Sequence, residues 1–200
     1  MMGKKTVLVT YAVKEEFIPV RIEGCEIIHL STGVGKAKSA YYLTKQFYQK
    51  RPDMVLNVGS AGTLKHNIGD IFLATHFIDR DYETIQLPGI EYEIELSHLL
   101  NQTLKHWVSR YEKTGTCNTG DTFVTKVGSI TGDIIDMEAY AQAFVCKQFD
   151  IPFLAVKYVT DIIGSNSVED WEKKLPDACC GLLNWFEEKK LLQLIGSLEV

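Results

Sequence analysis

The chain lacks any apolar run long enough to span a membrane. Near the N-terminus, Lys4 and Lys5 precede an apolar stretch, but it lasts only about six residues before Lys14, Glu15 and Glu16 end it, too short for a secretory leader's apolar core. A cytoplasmic location is the resulting expectation. An excess of basic residues is also missing, with 21 lysines and arginines against 26 aspartates and glutamates and a net charge of -5. Neither nucleic acid nor a membrane surface is expected as a partner, which leaves a small molecule. The five cysteines, Cys25, Cys117, Cys146, Cys179 and Cys180, are scattered, odd in number and contain no C-x-x-C. That excludes a disulfide framework or a zinc knuckle and leaves reduced core thiols. No histidine pair has H-x-x-x-H or H-E-x-x-H spacing, and neither a G-x-x-x-x-G-K-[ST] nor a G-x-G-x-x-G motif occurs. No metal and no cofactor are therefore expected. Repeats, low-complexity tracts and linkers are absent too, so residues 1–200 read as a single domain, long enough to bury a proper core.

What is present is an alternation of short apolar runs with helical periods. Thr6 to Thr10, Cys25 to Leu30, Met54 to Val58, Ile71 to Ala74, Thr114 to Thr125 and Phe153 to Val159 read as strands. Helices are predicted over Ala37 to Lys50, Ser97 to Tyr111 and Asp177 to Leu194, and around Tyr140 to Val145, where Met137, Tyr140, Ala141, Phe144 and Val145 mark one apolar face. Thr75 to Tyr92 reads as a long loop. Strands alternating with helices predict an α/β fold, a single three-layer domain with a central mixed sheet flanked by helices.

Two features suggest a site. Gly33-Val34-Gly35 and Gly59-Ser60-Ala61-Gly62 read as small-residue turns at strand ends, where ligands collect in open α/β sheets. Glu138, in the first turn of its helix, and Asp161, just past a strand, are acids set among apolar neighbours. From spacing alone Glu15 and Glu16 read as a solvated helical turn, and Phe123 as either core or a ring that stacks on a planar ligand.

These blocks together resemble the purine nucleoside phosphorylase and nucleosidase superfamily, most closely the 5'-methylthioadenosine/S-adenosylhomocysteine nucleosidases. The resemblance rests on Ala12 to Glu16, Thr32 to Lys36, Asn57 to Gly62 with Gly69-Asp70-Ile71, Thr119 to Val124, and Asp136 to Ala139 followed by Val159-Thr160-Asp161. It implies that Glu16 activates water, that Met137 and Glu138 bracket a ribose, and that Asp161 protonates the leaving purine. It further implies that Ser60 lies near the ribose and water, that Phe123 stacks on the base, and that the backbone of Val124 reads the base edge. Val34 and Thr160 fall in the matched blocks as substrate-side positions, and Pro88 matches a loop that a dimer partner inserts. A homodimer acting on a purine nucleoside is thus implied.

The chemistry suits these residue types. Cleaving an N-glycosidic bond leaves the ribose cation-like and the purine negative, so a water-activating base, a sugar-binding carboxylate and a leaving-group acid are needed. Val159, Ile162 and Ile163 are expected to wall Asp161. Phosphorolysis is the chemical alternative. Phosphorylases of the superfamily carry an arginine where this chain has Asn57, with Arg21 as the substitute to consider. A non-catalytic nucleoside-binding homologue is the other alternative. The chain departs from the pattern at Lys14, Thr160 and Asp136 and has shortened loops, which leaves the 5'-substituent open among methylthioadenosine, adenosylhomocysteine, 5'-deoxyadenosine and futalosine.

Overall fold

A computed structural model describes residues 4–126, 128, 130–164 and 167–197. Its centre is an eight-stranded mixed sheet. β1 (Lys5–Tyr11) is apolar on both faces, with Val7, Leu8 and Val9 buried, the pattern of a strand covered from both sides. It pairs in parallel with β2 (Cys25–Ser31) and with β3 (Met54–Thr63), and α1 (Lys36–Gln49) makes the crossover between those two. β3 pairs in parallel with β8 (Phe153–Ile162), which runs antiparallel to β4 (Ile71–Asp79). β4 pairs with β6 (Thr114–Thr119), β6 with β7 (Ile134–Asp136), and β7 returns to β3 where Ile135 meets Gly62. Strands β3, β8, β4, β6 and β7 therefore close a circuit, while β5 (Glu93–Glu95) edges β4.

Alternate residues of the strands feed two cores. On one face Leu8, Val55 and Phe153 pack with Leu43 and Phe47 of α1 and with Tyr140 and Ala143 of α4 (Ala139–Gln148). On the other, Val7, Val9 and Leu56 meet Leu104 of α3 (Gln102–Ser109), Leu182 and Trp185 of α5 (Ser167–Lys189) and Ile195 of α6 (Leu191–Ser197). Each large apolar side chain buried this way contributes about 1.5–3 kcal/mol. The α/β, three-layer expectation is met.

Several element readings are corrected. Gly59 to Gly62 is not a turn: β3 runs through it to Thr63, because small residues there allow close approach of carboxylates from two neighbouring segments. β4 extends past Ala74 to Asp79, and Arg80–Ile85 forms α2, whose start is capped by the Asp79 carboxylate accepting from Asp81 N and Tyr82 N. Thr75 to Tyr92 is therefore mostly regular structure. The Ser97 to Tyr111 helix is split, because Asn101 caps α3 by accepting from Leu104 N at 2.9 Å. β6 stops at Thr119, ahead of a loop. A short strand, Ile134 to Asp136, precedes α4, and α4 is buried nearly all round, with Phe144 turned outward at 45% exposure rather than lying on the apolar face. The C-terminal helix starts earlier than Asp177 and breaks at Lys190, which adopts a positive φ of 57°. Among the described residues no helix is long and apolar enough to cross a membrane.

Candidate active site

The carboxyl ends of β1, β3 and β8 are parallel and adjacent, and β7 ends against β3. Together they frame a cavity of about 380 Å³. A 3₁₀ turn, Lys14–Glu16, follows β1 and folds Glu16 inward to 6% exposure. The solvated-turn reading of this segment is thus overturned for Glu16. One carboxylate oxygen accepts from Ser60 N at 2.9 Å and Ser60 Oγ at 2.6 Å, the other from Ala12 N at 3.1 Å and Val13 N at 3.4 Å. A Cβ on residue 59 would stand 3.1 Å from Glu16 Oε1, so glycine leaves the space that the carboxylate occupies.

Asp161 is held in a similar way by the same strand. It lies inside β8, not beyond it, at 3% exposure. Between the pairs Ala61–Val159 and Gly62–Asp161 the register slips by one residue, a bulge at Thr160 that re-aims the following side chain. The Asp161 carboxylate rests against Gly62, where a Cβ would come within 2.9 Å of Oδ2, and it accepts from Thr160 Oγ1 at 2.9 Å. Val159 and Ile163 are buried as expected of its apolar wall, whereas Ile162 is 41% exposed, because successive strand residues point to opposite sides.

Glu138 sits at the start of α4, 7% exposed, and accepts from Gly35 N at 2.9 Å. The φ of 96° at Gly35 gives that amide its direction. Burial, and next the Asp136 carboxylate, push the Glu138 pKa up to about 8, although Lys157 and the Gly35 amide oppose them. Asp136 itself is buried, which disfavours its charge. Lys157 Nζ at 2.9 Å, the Thr119 hydroxyl at 2.6 Å and the Ala139 amide at 2.9 Å outweigh that and hold its pKa below the usual carboxylate value. Lys157 answers in kind: burial works against its charge, and the acids around it raise its pKa.

The remaining walls are loops. Phe123 and Val124 line the cavity on a segment that Arg80 grips by donating to Thr122 O at 2.8 Å. Gly120 makes this possible, since a Cβ there would lie 2.6 Å from the guanidinium. Asp121 accepts from Lys36 N at 2.7 Å, and Lys36 Nζ pairs with Asp79 at 2.8 Å and Asp81 at 2.6 Å. This cluster ties the Gly33–Gly35 loop to the aromatic one. Trp171 closes the cavity from α5, its ring centroid 6.3 Å from that of Phe123 in an edge-on arrangement.

Of the residues singled out in the sequence, Glu16, Val34, Ser60, Phe123, Val124, Met137, Glu138 and Asp161 all line this one cavity. Thr160 does not: it is fully buried behind Asp161, its hydroxyl turned to Ala61 O and the Asp161 carboxylate. Pro88 is exposed on the turn after α2, away from the cavity wall. Sequence reasoning missed Trp171, Lys157 and Arg80. Lys157 carried a signal, a lone charge in the middle of an otherwise apolar strand, which predicts a buried partner. Among the described residues the wall holds four carboxylates, Glu16, Asp136, Glu138 and Asp161, and no lysine, arginine or histidine. Arg21 is exposed and does not line it, and Asn57 is buried with its amide donating to Thr10 Oγ1.

A mixed sheet with paired acids at the parallel strand ends, and a family model that matches residues 5–184, place the chain in the phosphorylase superfamily. It is 34% identical over 184 residues to the 5'-methylthioadenosine/S-adenosylhomocysteine nucleosidase of Bacillus subtilis, covering 82% of this chain and 80% of that one. Within the superfamily it belongs to this nucleosidase family. The fold agrees with two solved structures from Helicobacter pylori. A 5'-methylthioadenosine/S-adenosylhomocysteine nucleosidase superposes with a TM-score of 0.80 at 21% identity, over 94% of this chain and 99% of that one. A futalosine hydrolase gives 0.77 at 20% identity, over 94% and 97%.

Proposed function

We propose that this chain, acting as one catalytic unit, hydrolyses the N-glycosidic bond of a 5'-modified purine nucleoside, 5'-methylthioadenosine or S-adenosylhomocysteine, to free base and ribose derivative. The observation that carries the hydrolytic reading is what the cavity wall lacks: among the described residues no lysine, arginine or histidine faces it. A phosphate dianion would be desolvated there with no cation to pair with, whereas water enters without that penalty. Phosphorolysis is disfavoured on that ground.

In this reading water attacks the anomeric carbon and gives its proton to Glu16. The bond to the purine breaks with its electron pair moving to the base, and Asp161 delivers a proton to N7. Phe123 stacks on the purine, the Val124 backbone meets its edge, and Met137 and Glu138 bracket the ribose. Glu138, with its pKa pushed up to about 8, holds a proton at neutral pH in the free enzyme. Sugar hydroxyls and the growing positive charge on the ribose both favour the carboxylate. The interaction therefore strengthens toward the transition state, as catalysis requires.

A homodimer is part of the proposal. The turn after α2 leans on α4, where Tyr140 donates to Glu91 O at 3.0 Å. Exposed Ile85, Leu87 and Ile90 on that segment and Phe144 on α4 offer an apolar surface to a second copy, with Pro88 at its edge. We place the enzyme in the cytoplasm, in keeping with five thiols that are not bonded to one another, and in methionine salvage as the use of its product. The test is a panel of methylthioadenosine, adenosylhomocysteine, 5'-deoxyadenosine and futalosine scored by free-base release, with Glu16→Gln alongside. Release from the first two that disappears in the variant supports the proposal; nucleoside binding without release by the unaltered chain would mark a non-catalytic homologue.

A further inference from the structure

We infer that Trp171 is a positioning residue for water activation, acting through Ser60 on Glu16. The inference rests on the hydrolytic reading above and assigns a division of labour within it. The Trp171 indole is a donor only, and its Nε1–H points at Ser60 Oγ at 2.9 Å. A serine hydroxyl has one hydrogen and two lone pairs. With one lone pair taken by the indole, its hydrogen goes to the carboxylate oxygen 2.6 Å away, Glu16 Oε1, a distance typical of a hydroxyl donating to an ionised acceptor. Ser60 N donates to that same oxygen at 2.9 Å.

Both lone-pair directions of Oε1 are thus occupied by one residue. Oε2 is held more loosely, by Ala12 N at 3.1 Å and Val13 N at 3.4 Å. Oε2 is therefore the oxygen that takes the proton from water, and Oε1 is the anchor. Trp171 supplies what the anchor needs, a hydroxyl rotor locked in one direction. Without the indole N–H, Ser60 is free to rotate away from Glu16 and to compete for the water. Trp171 also belongs to the cavity wall through its ring, edge-on to Phe123, so its two contributions separate by chemistry: the ring shapes the cavity and the N–H sets the rotor.

The experiment is a double-mutant cycle on kcat and KM for adenine release from methylthioadenosine, using Trp171→Phe and Ser60→Ala singly and together. Loss of one neutral hydrogen bond predicts that Trp171→Phe lowers kcat roughly three- to tenfold with KM little changed. In the Ser60→Ala background the same substitution is expected to cost nothing further in kcat. Equal losses in both backgrounds, or a change confined to KM, would overturn the inference and leave Trp171 a wall residue. If Trp171→Phe packs poorly, the benzothienyl analogue of tryptophan, with sulfur in place of N–H, keeps the shape and must reproduce the kcat loss. The hydrolytic reading fails separately, through the unaltered chain releasing no adenine at all.

Discussion

Two glutamates line the same cavity, and their surroundings differ in kind. Glu16 is met by four donors, three of them backbone amides, delivered by the ends of β1 and β3. Glu138 accepts from one donor among the described residues, Gly35 N, from a loop, and the charge that acts on it most strongly is another carboxylate, Asp136. The first wall is built to hold a carboxylate still; the second leaves one short of partners until a ligand brings them. In the proposed reaction identical side chains thereby take different parts, a base on the strand side and a sugar clamp on the loop side.

The comparison breaks most severely if Glu16→Gln, or Asp161→Asn, leaves turnover intact. Each is expected to lower kcat by about 10²–10⁴-fold while thermal unfolding stays close to that of the unaltered chain. Lys157→Met tests what lies behind the Glu138 wall. It strips the partner from buried Asp136, and an uncompensated buried charge costs about 3–5 kcal/mol, read as a large drop in the urea midpoint. A stability close to wild type would show that Asp136 does not depend on this pair.

Gly62→Ala sharpens the account of the strand side. A Cβ there must share space with Asp161 Oδ2, 2.9 Å away, so kcat should fall by about tenfold or more with a smaller change in stability. Full activity would mean that Asp161 does not work from the position described. Smaller still is the pH effect of Glu138. Its pKa near 8 predicts that kcat/KM in the unaltered chain rises between pH 6.5 and 8.5 as the free enzyme loses this proton, and that Glu138→Gln flattens the rise. Stability moves the opposite way: the folded state binds this proton more tightly than the unfolded one. The contribution is thus full below the ordinary glutamate range and is lost as pH climbs through about 8. An unfolding midpoint in Glu138→Gln that falls with pH as steeply as in the unaltered chain would assign the effect to another group.

How much of this was legible in the sequence follows the range of the interactions. Strand and helix periods are local, so the alternation, the sheet and most helices were readable, and the order of the sequence blocks pointed to the family. Glu16 was not readable from spacing, because its burial depends on Ser60, 44 residues on, and on glycine at 59. The Gly59–Gly62 stretch looked like a turn for a related reason: nothing local says that its missing side chains are room for acids from elsewhere. Trp171 lies 111 residues from the hydroxyl it contacts, in a helix whose own pattern signals only packing. Phe144 misled in the opposite direction, since it fits an apolar period yet faces outward on a helix buried along its other sides.

The central claim, that water and not phosphate is the nucleophile in this acid-lined cavity, is tested most directly by the sugar product. Methylthioadenosine is incubated with the enzyme in phosphate-free and in phosphate-rich buffer, and the products are resolved by mass spectrometry. Adenine with free methylthioribose at the same rate in both buffers is the predicted result; methylthioribose 1-phosphate, or release that requires phosphate, would contradict it.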